Sequence, residues 1–166
     1  CIMSPRLVEC SRHHNIQIIS NADLVSLTGQ AGDFTASIRK RARYVDEAKC
    51  TGCGICIEKC PWRTDSEFDM GLKKRKAIFT PFAQVVPNVP FIDTDLCIYF
   101  KRGTCKACVM FCEPGAVLLD QQDQHMDLEV GAVILAAGSD IYDAGLSEEF
   151  GFGRYPNVVT SLQFER

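Results

Sequence analysis

Cys50-Thr-Gly-Cys53-Gly-Ile-Cys56-Ile-Glu-Lys-Cys60-Pro61 is the stretch on which the reading of this chain turns. Four thiols fall within eleven residues at the spacing C-x2-C-x2-C-x3-C-P. Three thiolates in one tight loop can face three irons of a single cubane, while a fourth, on the short helix that follows, points away to serve a second cubane. Thr51, Gly52 and Gly54 are small, so backbone N–H groups can approach the sulfur atoms. Hydrogen bonds of that kind help to set a cluster's reduction potential. Pro61 has no N–H and turns the chain away from the helix.

A second run repeats the pattern: Cys97-Ile-Tyr-Phe-Lys-Arg-Gly-Thr-Cys105-Lys-Ala-Cys108-Val-Met-Phe-Cys112-Glu113-Pro114. It keeps C-x2-C-x3-C, but its first gap is seven residues and a Glu precedes the proline. Loop insertions carry a small entropic penalty, so the departure is tolerable. Two such runs imply an internal duplication with crossed ligation. One [4Fe–4S] cluster takes Cys50, Cys53, Cys56 and Cys112, and the other takes Cys97, Cys105, Cys108 and Cys60. The long gap makes Cys97 the ligand that the motif specifies least. A disulfide framework fits poorly, because neighbouring cysteines stand two or three residues apart. Zinc is the stronger rival, yet a zinc site takes four ligands, commonly as two pairs separated by a longer loop.

The rest of the composition is ordinary. Of 166 residues, 46% are hydrophobic and 23% charged, which excludes intrinsic disorder and collagen-like repeats. No run of about 18 apolar residues exists, so no membrane span is expected. The opening residues lack the basic and apolar regions of a signal peptide. A formal charge of −3 gives no nucleic-acid footprint. His13, His14 and His125 sit among polar residues and read as exposed. Lys73, Lys74, Arg75 and Lys76 read as a solvated loop, the alternative being a docking patch for an acidic partner. Trp62 and Phe111 flank cysteines and read as packing residues.

Patterning predicts an α+β chain. A short strand is expected at 16–19, then a hairpin of 23–28 and 33–40 joined through Thr28-Gly29-Gln30-Ala31-Gly32. Residues 61–93 carry Pro61, Pro81, Pro87 and Pro90 and form a partly extended insertion between the runs. Ala116–Leu119 is expected to close the cysteine region as a strand, and Met126–Val130 and the fully apolar Ala132–Ala136 are expected as two more. The tail from 139 to 166 reads as loop-rich.

This order of elements resembles the glutathione-reductase-like flavoproteins, in which a strand with small residues at its end closes the FAD domain. The phosphate-binding G-x-G-x-x-G is absent, and Gly29-Gln-Ala-Gly32 does not match it. More specifically, the chain resembles the A-subunit family of heterodisulfide reductases. The matching residues are Cys1-Ile-Met-Ser-Pro-Arg-Leu7, Ala42–Cys53, Glu67–Ile78, Leu128–Gly138 and Tyr155–Arg166. Ala137 departs from the family, which often has threonine there.

The resemblance implies a ferredoxin-like two-cluster domain at 42–124 inserted into strands of an FAD domain, whose parts are 1–41 and 125–166. It implies FAD shared with sequence outside this chain, with Ala136, Ala137 and Gly138 near it and the backbone of Asp23 and Leu24 on its adenine side. It further implies a cytoplasmic oxidoreductase, homodimeric within a larger assembly, passing single electrons between flavin and partner redox subunits. Cys1 would be a ligand of a further cluster or a free buried thiol, and Cys10 reads as structural. The rival function is a free-standing ferredoxin-like carrier without flavin. On this reading the chain is a piece of a longer protein, and two loaded clusters would take its formal charge to about −7.

Overall fold

The computed structural model describes residues 3–166; Cys1 lies outside the described residues. Along the chain run α1 (Met3–Arg12), β1 (Ala22–Gln30), β2 (Asp33–Lys40), α2 (Ile55–Lys59), β3 (Thr64–Asp65), β4 (Lys74–Arg75), β5 (Ile78–Phe79), β6 (Phe91–Ile92), α3 (Ile98–Arg102), α4 (Ala107–Met110), β7 (Gln124–Val130) and α5 (Ser161–Glu165). Two compact units result. The first takes the described chain up to Thr64 together with Lys76–Ala132, and the second takes Asp65–Arg75 with Val133–Arg166.

In the first unit β1, β2 and β7 form an antiparallel sheet in that order. The β1–β2 turn needs only Ala31 and Gly32, because Gln30 already pairs with Asp33. Gly32 has φ +92°, a backbone conformation that glycine adopts without the penalty a Cβ would bring. The register puts Leu24, Leu27, Phe34, Ala36, Ile38, Met126, Leu128 and Val130 on one face. A bulge between Leu24 and Ser26 keeps both leucines on that face. The other face is polar: Ser37 Oγ donates to Asp127 at 2.6 Å and Arg39 pairs with Asp23 at 2.8 Å. Sheets that bury one face show this alternation. Among the described residues the apolar face is incompletely covered, with Leu24 50% exposed.

Between β2 and β7 the chain builds the core: Val45, Cys56, Ile78, Val89, Ile92, Ala116 and Val117 are buried together. Two strand contacts frame it. Ile78 pairs with Ile92 across β5 and β6, and Val45 bridges Val117. Beneath the sheet's end lies a buried cation, Arg43, only 5% exposed. Its Nε reaches Glu47 at 3.1 Å, Nη1 donates to the Val89 carbonyl at 2.8 Å, and Nη2 donates to Ser20 Oγ at 2.6 Å. Gln121 Oε1 accepts from the backbone N–H groups of Arg43 and Tyr44.

In the second unit, Ser66 N donates to the Lys73 carbonyl at 2.8 Å and Arg166 lies 3.8 Å over the Phe68 ring. Its tail holds two 3-10 turns and α5, which is closed by a capping box between Thr160 and Gln163.

Four sequence expectations change. Residues 16–19 are irregular, not a strand. Ala132–Ala136 is not a strand either: no described strand pairs with it, and Ile134 and Leu135 are 91% and 84% exposed. An apolar run becomes a strand only where a neighbour completes its backbone hydrogen bonds. Ala116–Leu119 contributes a single bridge. Cys10 is exposed on α1, a helix that buries no residue, so it does not pack structurally. The hairpin, the strand at 126–130 and the three exposed histidines match expectation.

Replacing Arg43 with Met strands the Val89 carbonyl and Ser20 and leaves Glu47 with Lys40 alone. It should lower stability by about 3 kcal/mol, read as an anaerobic denaturant midpoint shifted at unchanged slope.

Candidate metal centres

Each cysteine run begins the same way in three dimensions. Val45-Asp46-Glu-Ala-Lys-Cys50 and Ile92-Asp93-Thr-Asp-Leu-Cys97 share an apolar-Asp-x3-Cys pattern. Asp46 Oδ1 accepts from Ala48 N at 2.9 Å, and Asp93 Oδ1 accepts from Asp95 N at 3.1 Å. These are Asx turns, in which a short side chain substitutes for a backbone turn. The two aspartate carbonyls then accept from Cys50 N and Cys97 N, both at 3.0 Å.

The strand contacts exchange partners between the runs. Asp46 N donates to the Ala116 carbonyl at 2.7 Å, and Asp93 N donates to the Ala77 carbonyl at 2.8 Å. The residues entering the first run are thus clamped to those leaving the second, and the reverse. The repeat makes Cys97 the counterpart of Cys50. The seven-residue gap after Cys97 is filled by α3, which Gly103 ends with φ +70°.

Two cavities follow from this exchange. Cys50, Cys53, Cys56 and Cys112 line one, walled by Val45, Pro90, Phe111 and Ala116. Cys60, Cys97, Cys105 and Cys108 line another, walled by Trp62, Ala77 and Ile98. The structure therefore brings together the two sets of four that the spacing predicts. Among the described residues no three of these side chains converge closely enough to hold one metal ion. A single zinc needs its donors about 2.3 Å from one point, whereas a cubane accepts them at four corners of a larger cage. Four thiols around each cavity suit such a cage.

Backbone donors reach the sulfurs. Gly52 N lies 3.4 Å from Cys50 Sγ, and Ala116 N lies 3.3 Å from Cys112 Sγ. Gly52 has φ +70°, and a Cβ there would stand 2.7 Å from Asn88 Nδ2. No larger residue fits this approach without displacing Asn88. Cys105 itself holds φ +78°, a strained conformation for a residue with a side chain.

Electrostatics divides the thiols. Burial pushes the Cys56 thiol up to about 11, a backbone N–H at Ile57 pulls it back, and the sulfurs of Cys50, Cys112 and Cys108 raise it further. Burial likewise pushes Cys108 up to about 11, reinforced by Cys97, Cys60 and Cys105. Bound iron reverses this by stabilising the thiolate. Cys53 and Cys105 are exposed.

The remaining predicted site residues lie elsewhere. Asp23 and Leu24 are on β1 in the first unit. The Arg39 guanidinium beside Asp23, helped by Arg41, holds its carboxyl below the usual range. Ala136, Ala137 and Gly138 belong to the irregular, exposed segment of the second unit. The basic run is neutralised where it stands: Lys73 pairs with Asp69, Lys74 with Asp65 and Arg75 with Glu67. Lys76 donates to the Cys60 carbonyl. Spacing alone missed Arg43, the two Asx turns and Gln121; the paired apolar-Asp-x3-Cys pattern was the available signal.

In metal-free protein at pH 8, iodoacetamide should modify Cys53 and Cys105 at least about tenfold faster than Cys56 and Cys108, measured by peptide mass mapping. A raised thiol pKa favours the folded state below about 9. That contribution is lost between pH 9 and 11, so the metal-free fold should weaken across this window.

Comparison with known proteins agrees with this geometry. Residues 43–64 match the 4Fe-4S binding domain family. The iron-sulfur A subunit of the CoB–CoM heterodisulfide reductase of Methanocaldococcus jannaschii is 46% identical over 99% of this chain. The A subunit of the H(2):CoB-CoM heterodisulfide,ferredoxin reductase of Methanothermobacter marburgensis is 42% identical over all of it. The A subunit of the Ferredoxin:CoB-CoM heterodisulfide reductase of Methanosarcina mazei is 35% identical over the same extent. The chain spans 24% of the first two relatives and 20% of the third. Over nearly its whole length, this α+β, ferredoxin-like chain is a homologue of a segment of the heterodisulfide reductase A subunit.

Proposed function

We propose that this chain is a two-cluster electron-transfer segment of a heterodisulfide-reductase-A-like flavoprotein oxidoreductase. The observation that carries the reading is the pair of cavities, each lined by three thiols from one run and one from the other. Cys50, Cys53, Cys56 and Cys112 would hold one [4Fe–4S] cluster; Cys97, Cys105, Cys108 and Cys60 would hold the second. Such clusters, when bound, supply one-electron donors and acceptors. The chain's own part is to fix the thiolates, aim the Gly52 and Ala116 N–H groups at sulfur and exclude water with Val45, Ile78, Ala116 and Val117.

Residues 42–124 form the inserted ferredoxin-like domain in this reading, and 1–41 and 125–166 are parts of an FAD domain. Ala136, Ala137 and Gly138 would approach FAD, with Asp23 and Leu24 on the adenine side. Two observations support this. Gly138 has φ +78° with open space where a Cβ would stand. The apolar face of the β1–β2–β7 sheet and the Val133–Leu135 segment are exposed, as surfaces awaiting further sequence would be. The same exposure disfavours a free-standing carrier. The assembly would be a cytoplasmic complex with other redox subunits; among the described residues no helix is long and apolar enough to cross a membrane.

Anaerobically purified protein should carry about eight iron and eight sulfide per chain. Colourless protein with stoichiometric zinc would overturn the reading. Cys60→Ser should damage the cluster beside Cys105 and leave the signal of the cluster beside Cys53 intact, read by electron paramagnetic resonance of the reduced protein. Cys97→Ser should do the same; unchanged iron content in that variant would remove Cys97 from the ligand set.

A further inference from the structure

The two halves of the cysteine region match in backbone contacts and differ in charge. Around the first set the cations are paired: Lys59 lies 3.0 Å from Glu58, and Lys49 lies 3.8 Å from Asp46. Lys59 also sits 5.6 Å from the Phe111 ring at that cavity's wall.

The second set is different. No Asp or Glu occurs anywhere in 96–112, while Lys101, Arg102 and Lys106 do. All three are exposed, and none has an ion-pair partner among the described residues. Lys101 and Arg102 close α3, the helix that fills the seven-residue gap. The loop after it folds back, so that Lys106 Nζ lies 5.6 Å from the Tyr99 ring on α3. Cys105, in the middle of that loop, is exposed. Across the same cavity stands Trp62, with the exposed Arg63 next to it.

We propose that Lys101, Arg102, Lys106 and Arg63 form a basic collar around the exposed Cys105 that docks an acidic one-electron carrier protein. The proposal rests on the two-cluster reading above and adds to it which cysteine set meets the carrier. The chain as a whole carries −3, and loaded clusters make it more negative. An acidic protein is therefore repelled by most of this surface and drawn to this unneutralised positive rim, which steers encounter and fixes orientation. Four cations are too few for a polynucleotide track, so a protein is the better fit. The collar also places the carrier's surface within reach of the only solvent-exposed thiol of that set.

The test uses the full-length holoprotein and an oxidised acidic two-cluster ferredoxin as the probe, bound in biolayer interferometry. Iron and sulfide content is measured first for every variant, so that loss of the clusters, which would defeat the two-cluster reading, is distinguished from loss of docking. With clusters intact, K101E/R102E/K106E should raise Kd at least about tenfold at about 50 mM salt, and the difference should vanish near 0.5 M. The milder K101Q/R102Q/K106Q should fall between wild type and reversal, and carbodiimide cross-links should join Lys101 or Lys106 to the probe's carboxylates. A Kd within twofold of wild type in the loaded reversal variant overturns the proposal. So does a larger loss from K49E/K59E, which would move docking to the first set, or equal binding of a duplex oligonucleotide.

Discussion

Two backbone hydrogen bonds, Asp46 N to the Ala116 carbonyl and Asp93 N to the Ala77 carbonyl, carry the organisation of the cysteine region. Each joins the entry of one run to the exit of the other. Without that exchange Cys112 would have no reason to stand with Cys50, nor Cys60 with Cys97. Both bonds sit among side chains buried almost completely, Val45, Ile78, Ala116 and Val117, where an unmade bond carries its full desolvation penalty. Geometry that a cluster needs to about an ångström is thus held by main chain and packing rather than by the thiols themselves.

How much of this could be read from sequence depended on the kind of constraint. The eight thiols were legible because ligand spacing is local and chemically narrow. Their grouping around two cavities follows the repeat of the motif. The β1–β2 hairpin was legible because alternation and a turn glycine agree. The strand at Ala132–Ala136 failed for the opposite reason: its apolar pattern says what it could pair with, and none of the described strands stands beside it. Arg43 was invisible because a buried cation is made by three partners far apart in sequence, Ser20, Glu47 and Val89. The aspartates were visible in principle, since apolar-Asp-x3-Cys occurs twice, but a cysteine search passes over them.

The duplicated halves also show how copies diverge. Ladder contacts, Asx turns and cysteine order survive in both. What changed is the loop between the first and second cysteines, two residues in one run and seven in the other. A loop at the surface can lengthen without disturbing the clamp beneath it, and the longer one brought a helix and two cations, Lys101 and Arg102, with it.

The pairing of Lys40 with Gln124 has a topological meaning. Everything between these two residues is the connection of an antiparallel hairpin, entering and leaving across one ladder rung. For a floppy connection, closing so long a loop would cost a few kcal/mol more than a tight turn. Here much of the connection is gathered around the core of Val45, Ile78, Val89, Ile92 and Val117, and Ala42 N to Asp123 Oδ1 at 2.8 Å ties its two ends together. The sheet therefore experiences it as a short turn. The β2–β7 ladder is thus closed at that tie, whatever length of chain the connection holds.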